Sequence, residues 1–461
     1  MRTLPATKSS PIVLTARFEE SEAGTLRHIP FDLPSGVEQF QLSVEYNDRI
    51  GSDPRLTNGN TLDIGIFDQH GIETGGEGFR GWSGSTRDTI VIGKKWSTPP
   101  YRTGKPNQGT WHVLLGAYKV GASGLDATIT IDLNPEVEIP EQAPVPDIES
   151  LVRAELPKPA ERNWYRGDLH GHTIYSDGNA TPAELAVKAY EAGLDFYGIT
   201  DHNRAQSPVD LVPSGGGWPV LVPGVEVTTY AGHFNVWGTD TWYDFRDPTA
   251  EGIQAAVTAA RKDGGFVSKN HPRPYGPDWA YPEITGFHAV EVWNGWWNAL
   301  NSVSVRVWDD ALRDGQKLAA VGGSDVHFPG QPGNPDNPLS PTRVGHPTIW
   351  IQTKRPLSPK AIIDAIKAGN CFITDAPDGP QIYMTRENDL ITARIVGGKG
   401  TALDIIGANG IIATEAITDD DQSWSFALNI LGKGQPYVRS QIHTEYGGLR
   451  AISNPIWLQS K

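Results

Sequence analysis

Gly167-Asp168-Leu169-His170-Gly171-His172 sets two histidines two residues apart, and on a strand such residues project to the same side. Both imidazoles can therefore reach one metal ion. Asp177 follows in Ser176-Asp177-Gly178, and His202 lies in Thr200-Asp201-His202-Asn203. Glu226 sits in Gly224-Val225-Glu226-Val227, with His233 seven residues on and His271 after the expected strand 266–270. Ser324-Asp325-Val326-His327 repeats the two-residue spacing with an aspartate and a histidine. Taken singly, each reads more readily as a surface or core group, the class to which His28, His70, His112, His288, His346 and His443 are assigned. Taken together, six histidines and three carboxylates fall at the carboxyl ends of successive expected strands, where α/β folds build their sites. All nine are N or O donors, a set that suits Zn, Mn or Fe without choosing among them.

The elements that must position them alternate between strand and helix. Thr181-Pro182-Ala183-Glu184 is a capping box with proline at the first helical position, and Gly193 closes that helix. Strands are expected over 195–200, 220–227, 265–269, 289–293 and 318–321, with helices over 248–263, 298–314 and from Ser358-Pro359 to Gly369. Such units argue for a parallel sheet, open or closed as a barrel. The Gly-, Pro- and Asn-rich stretch 328–347 is too long for an ordinary connection and reads as a functional loop.

On either side the pattern changes to short alternating runs. Phe40-Gln41-Leu42-Ser43-Val44 and Ala127-Thr128-Ile129-Thr130-Ile131 place a β-sandwich in residues 1–155. That region ends in an acidic, proline-rich linker over 134–146. Residues 160–376 form the α/β unit. Residues 380–461, with Ile391-Thr392-Ala393-Arg394-Ile395 and Ser423-Trp424-Ser425-Phe426-Ala427, read as a small β domain. The fold class expected is α/β, flanked by β modules.

Composition narrows the function classes. Acidic residues outnumber basic ones, 54 to 39 for a net charge of −15, which disfavours nucleic acid as partner. One cysteine, Cys371, excludes an internal disulfide and a cysteine-based zinc site, and it reads as structural. No membrane span and no signal-type apolar segment is visible, so a cytoplasmic location is expected.

The ordered set Asp168-Leu169-His170-Gly171-His172, Ser176-Asp177-Gly178, Thr200-Asp201-His202, Gly224-Val225-Glu226 and Asp325-Val326-His327 resembles the PHP (polymerase and histidinol phosphatase) superfamily of metallohydrolases. Ala231-Gly232-His233-Phe234-Asn235-Val236-Trp237-Gly238 and Val290-Glu291-Val292-Trp293-Asn294-Gly295 resemble its carbaryl-hydrolase-type (CehA/McbA) branch. The likeness spans about residues 163–376. It implies a distorted (β/α)7 barrel holding two or three divalent ions. By the same likeness, His170, His172, Glu226 and Asp325 hold one ion. Glu226 bridges to a second, held also by His233 and His271, while Asp177, His202 and His327 hold a third. The sequence departs from the parent pattern where Asp177 replaces a histidine found in some members, and in the short spacing from Glu226 to His233.

Ions in excess of the ligand carboxylates leave the site net positive, which favours a hydroxide nucleophile and an anionic substrate or transition state. No Ser-His-Asp or Cys-His arrangement is required. Glu226, Asp325, Arg204 and Lys269 are the catalytic candidates. Arg204, Lys269 and Arg273, each two residues from His202 or His271, suit a phosphoryl clamp but read equally as solvated charges. Trp293, Trp296 and Trp297 suit an aromatic leaving group or core packing; adjacent Trp296 and Trp297 must point to different sides. Asp168 and Asp201 either orient neighbouring histidines or cap strand ends. The resulting expectation is a hydrolase of small esters. Phosphoesters are favoured and carboxyl, carbamate or amide-type bonds are the alternative. Polymerase-linked proofreading and a non-catalytic binding role are the remaining classes.

Overall fold

The computed structural model describes residues 10–141, 143–274, 279–428, 431 and 435–458. Residues 1–9, part of the segment without a signal-type run, and Gln142 of the expected linker lie outside that set. The chain is mixed α/β, with many strands and few helices.

The first eight strands are β1 (Ile12–Phe18), β2 (Thr25–Leu33), β3 (Gln39–Tyr46), β4 (Thr61–Phe67), β5 (Phe79–Gly84), β6 (Thr89–Gly93), β7 (Gly109–Lys119) and β8 (Leu125–Leu133). They form two antiparallel sheets, in orders β1-β8-β3-β6 and β2-β7-β4-β5. Alternating residues of each, such as Phe40, Leu42 and Ile129 against Phe31, Ile64 and Trp111, fill the core between them. The second sheet is covered on its other face too. Phe67, Phe79, Trp82 and Leu114 pack with Val225, Val227, Phe234 and Phe245 from the next region. This double cover explains why every residue of β4 is buried.

The central strands are β9 (Trp164–Asp168), β10 (Phe196–Ile199), β11 (Val220–Thr229), β12 (Gly232–Trp237), β13 (Phe266–Lys269), β14 (Ala289–Asn294), β15 (Ala319–Gly323), β16 (Thr348–Gln352) and β17 (Cys371–Thr374). Among them lie α1 (Pro182–Glu191), α2 (Ala250–Lys262), α3 (Asn301–Arg313) and α4 (Pro359–Lys367). Thr181 accepts from Glu184 N while Glu184 accepts from Thr181 N, so the expected capping box starts α1.

Pairing is parallel for β9–β10, β10–β11, β13–β14 and β14–β15. It is antiparallel for β11–β12 and β12–β13, so the parallel βα repeat is broken. The reason is local: Tyr230 and Ala231, followed by Gly232 at φ +132°, turn the chain straight back as a hairpin with no helix between.

The sheet path runs β15-β14-β13-β12-β11-β10-β9-β16-β17 and shows no closed ladder. Its first strand nevertheless returns to β9's end through one isolated bridge, Gly171 to Val326. Asp325 N donates to His170 O at 2.9 Å and His172 N to Val326 O at 2.9 Å. A Cβ at Gly323 would lie 2.4 Å from that of His170, so glycine permits this approach.

Past β17 the same sheet continues into β24 (Leu449–Ser453), β23 (Tyr437–His443), β20 (Ala402–Gly407) and β21 (Gly410–Ala416), with β25 (Ile456–Trp457) on β23. A separate sheet of β18 (Gln381–Glu387), β19 (Leu390–Val396) and β22 (Asp421–Ala427) contributes Ile382, Ile391 and Ile395 to a core shared with Leu403, Ile405 and Val438.

Candidate metal centre

His170 and His172 follow β9, His202 follows β10, and Glu226 lies within β11. His233 stands on β12, His271 just beyond β13, and Asp325 and His327 just beyond β15. The structure brings these eight together with Asp177. Glu226, 0% exposed, is the hub. Its Oε2 lies 3.4 Å from His170 Nε2, 3.6 Å from His172 Nε2 and 2.8 Å from His202 Nδ1. Its Oε1 lies 3.3 Å from His233 Nδ1 and 3.2 Å from His271 Nε2. Asp325 Oδ1 is 2.9 Å from His172 Nε2 and 3.4 Å from His170 Nε2. Asp177 Oδ1 sits 3.2 Å from His327 Nε2 and 3.5 Å from His202 Nε2.

Three groups have ligand atoms close enough for one cation: His172 with Asp177, His202 and His327; His170 with His172 and Glu226; and His202 with Glu226 and His233. The donor atoms also fit a cation by what they lack. His170 Nε2, His172 Nε2, Asp177 Oδ1, Glu226 Oε2, His233 Nδ1 and Asp325 Oδ1 are buried without a hydrogen-bond partner among the described residues. Buried polar atoms are seldom left so, and a ligand is one cause. His271 at φ 27° and Asp325 at φ 53° hold left-handed backbone that non-glycine residues rarely adopt. Such outliers gather where a side chain must be aimed.

Protonation follows the same logic. Burial opposes charge on His170, but Glu291, Asp325 and Glu226 overcome it and raise its pKa well above the usual histidine range. Burial likewise raises Glu226, yet His170, His202 and His233 hold it well below the carboxylate range. Burial, then Asp177, act oppositely on His327, which ends pushed up to about 10. His172 is pushed down to about 3 by burial and by His327 and His202. Protons thus occupy a negatively charged cage, and a divalent ion binding there would displace them.

Residues outside the expected set aim these donors. His170 Nδ1 donates to Glu291 Oε1 at 2.8 Å, while Glu291 Oε2 accepts from His271 N at 3.1 Å and Asn294 Nδ2 at 3.1 Å. Asn270 donates to Glu226 at 2.8 Å and Asn294 to Asp325 at 3.2 Å. In the sequence Glu291 stands within the string 290–295 with no role assigned to it. Asp168 accepts the backbone N–H groups of His170, Ser324 and Gly345, so it caps rather than orients an imidazole. Asp201 accepts from Thr173 N at 2.7 Å and Ser176 Oγ at 2.8 Å; Ser176 Oγ lies 3.4 Å from His172 Nδ1. It therefore reaches His172 only through a serine.

A cavity of about 260 Å³ opens onto His202, Glu226, His233, His271, Asp325 and His327. Arg273 and Trp296 line it, as do Pro338 and Thr342 of the long loop. Arg273 donates to Asn294 O at 3.0 Å and Asn294 Oδ1 at 2.7 Å, and to Asn301 Oδ1, which fixes its guanidinium.

The other expected substrate contacts lie elsewhere. Arg204, 1% exposed, donates to Gly224 O at 2.6 Å and pairs with Asp240 at 3.1 Å, behind the site. Lys269 precedes His271 by two residues but its ammonium lies over the rings of Trp279 and Phe287, at 4.8 and 5.1 Å. Trp293 is core, its Nε1 donating to Gly295 O at 3.1 Å, and Trp297 packs against it with centroids 5.1 Å apart. Cys371 is buried.

No family model matches the sequence, and no curated protein does. Among solved structures, a two-domain protein from Bacteroides vulgatus ATCC 8482 containing a predicted PHP-like metal-dependent phosphoesterase is similar to this chain. The likeness has 19% identity and a TM-score of 0.39 over 67% of this chain and 100% of that one.

Proposed function

We propose that the chain is a divalent-metal-dependent hydrolase of small esters, phosphoesters foremost, with a PHP-type centre on a distorted (β/α)7 arrangement. The carrying observation is the convergence of nine N and O donors, six of which have a buried atom without a hydrogen-bond partner among the described residues. His170, His172, Glu226 and Asp325 would hold one ion, with Glu226, His233 and His271 on a second. Asp177, His202 and His327 would hold a third. Two or three Zn, Mn or Fe ions there would supply Lewis acidity and a hydroxide nucleophile at neutral pH.

The chain's own residues do the rest. Glu226 and Asp325 keep the cage anionic and the imidazoles aimed. Glu291 fixes His170 from behind. Arg273, held by two asparagines, presents a fixed cation to an anionic ester at the cavity wall. Trp296 offers an apolar wall. Arg204 and Lys269 take no part in this reading, since their charges are engaged away from the cavity.

That displacement leaves Arg273 as the guanidinium lining this cavity among the described residues, which favours a second reading, hydrolysis of neutral carboxyl or carbamate esters. Protein purified without chelator should carry at least ~1.5 equivalents of transition metal. A panel of nitrophenyl phosphate mono- and diesters against carboxyl and carbamate esters decides between the readings. A folded chain that binds no metal would sink both.

A further inference from the structure

A second cavity, of about 270 Å³, shares His202 and His233 with the first but is walled by the N-terminal sandwich. Its lining includes Asp63 of β4, Trp82 of β5, Tyr118 of β7 and Tyr230 of the β11–β12 turn, beside Asp177. Ser83, Ser85 and Thr86 add hydroxyls, and no lysine or arginine lines it among the described residues.

The local sequence is shaped for this space. On β4 and β7, Asp63 pairs with Gly116, and both lie on the sheet face turned away from the sandwich core. A Cβ on Gly116 would fall 2.2 Å from the Tyr230 hydroxyl and 3.0 Å from Trp82. A Cβ on Gly65, one step along that face, would meet Trp82 at 2.8 Å. The two glycines thus cut a notch that admits the indole and the phenol. Through it Tyr230 donates to Asp63 Oδ2 at 2.6 Å, and its ring packs on Tyr118 with centroids 5.2 Å apart. Asp63 is only 8% exposed, and no described residue donates to its other oxygen. A carboxylate so buried, with an oxygen left over and aromatic walls beside it, is built for a ligand's donor.

We propose that this cavity is the subsite for the leaving group, and that it selects an apolar or aromatic body carrying an ammonium or hydroxyl donor for Asp63. It rests on the hydrolase reading above for the bond that is cut, whereas the ligand's class follows from the cavity alone. The sandwich is then part of the substrate site, because Asp63, Trp82 and Tyr118 all come from it. Anionic leaving groups are disfavoured, since Asp63 faces the space and no lysine or arginine lines it among the described residues.

The test uses the full chain loaded with Mn and three phenols that differ only in the para group: aminomethyl, hydroxymethyl and carboxylate. Each is offered as its phosphate and as its acetate ester. The ammonium ester should exceed the carboxylate ester in kcat/KM by at least ~30-fold, and Asp63→Asn should bring the ratio to within ~3-fold. Tyr230→Phe, which removes the hydrogen bond that favours the charged form of Asp63, should narrow it in the same direction. Calorimetric titration with the free phenols reads the subsite without turnover: 4-(aminomethyl)phenol should bind and 4-hydroxybenzoate should not. Turnover without discrimination, or discrimination that Asp63→Asn leaves intact, overturns the subsite and spares the hydrolase. Binding that depends on Asp63 with no metal-dependent turnover of any ester overturns the hydrolase and spares the subsite. Equal binding of the two phenols by the unaltered protein overturns the subsite even if neither variant folds.

Discussion

Glu226 is the side chain on which the centre turns, because both of its oxygens face imidazoles and neither reaches solvent. Exchanging it for glutamine keeps the volume but removes the negative charge that would offset two cations in the proposed centre. Glu226→Gln should therefore lower turnover by at least ~100-fold and reduce the bound metal. Near-normal turnover would place the bridge elsewhere. Glu291 acts one bond further out. It accepts from His170 Nδ1 and from the His271 backbone, and so fixes one imidazole's tautomer and one ligand's strained backbone. Glu291→Gln should weaken metal affinity by ~10–100-fold while kcat at saturating metal largely recovers. Metal titration separates the two outcomes; a loss of kcat that excess metal does not restore would mean that Glu291 does more than position.

At the scale of elements, what local chemistry dictates was readable and what pairing dictates was not. Thr181, Pro182 and Glu184 start α1 through their own side chains, and Thr249 and Ser358 do the same for α2 and α4. The nine donors were legible because a strand puts alternate residues on one side and strand ends converge. The antiparallel course of β12 was not, since periodicity carries no direction. Nor was the run of the sheet from β17 into β24, which backbone hydrogen bonds make and any residue supplies. Glu291, Asn270 and Asn294 escaped because a polar residue within or just beyond a strand looks the same whether it serves a metal or merely a neighbour. The β13–β14 pair carries its own pH signature. His288 Nδ1 accepts from Val267 N at 3.0 Å, and its ring stacks on Phe266 at 5.2 Å. Burial, then Arg261 and Lys367, push its pKa down to about 4. The folded state thus binds fewer protons than the unfolded chain between about 4 and 6.5, so stability is full above 6.5 and falls as pH drops through that window. Acid unfolding of the metal-free protein should lose a slope of up to one proton there in His288→Asn. An unchanged slope would show that the imidazole titrates freely.

For the whole molecule, the consequence is that the sandwich and the region bearing the nine donors fold as one body. Phe67, Phe79, Trp82 and Leu114 bury their side chains against Val225, Val227, Phe234 and Phe245, not within the sandwich. At ~1.5–3 kcal/mol for each large apolar side chain, these four alone contribute roughly 6–12 kcal/mol. That equals the ~5–15 kcal/mol that stabilises an entire domain. Tyr230 on Asp63 and Trp242 Nε1 on Gly76 O, at 3.3 Å, add polar contacts across the same seam. Neither part can then unfold without exposing the other's apolar face. A ligand bound by one part must accordingly stabilise both, by RT ln(1 + [L]/Kd) in the shared equilibrium. Heating the full chain should give one calorimetric transition, and manganese should raise its midpoint as a unit. Amide exchange in β4, which holds no candidate metal-binding residue, should slow when manganese is added, by a factor matching that in β11. If β4 exchanges at its metal-free rate while β11 is protected, the sandwich opens independently and the seam is a contact between separate domains.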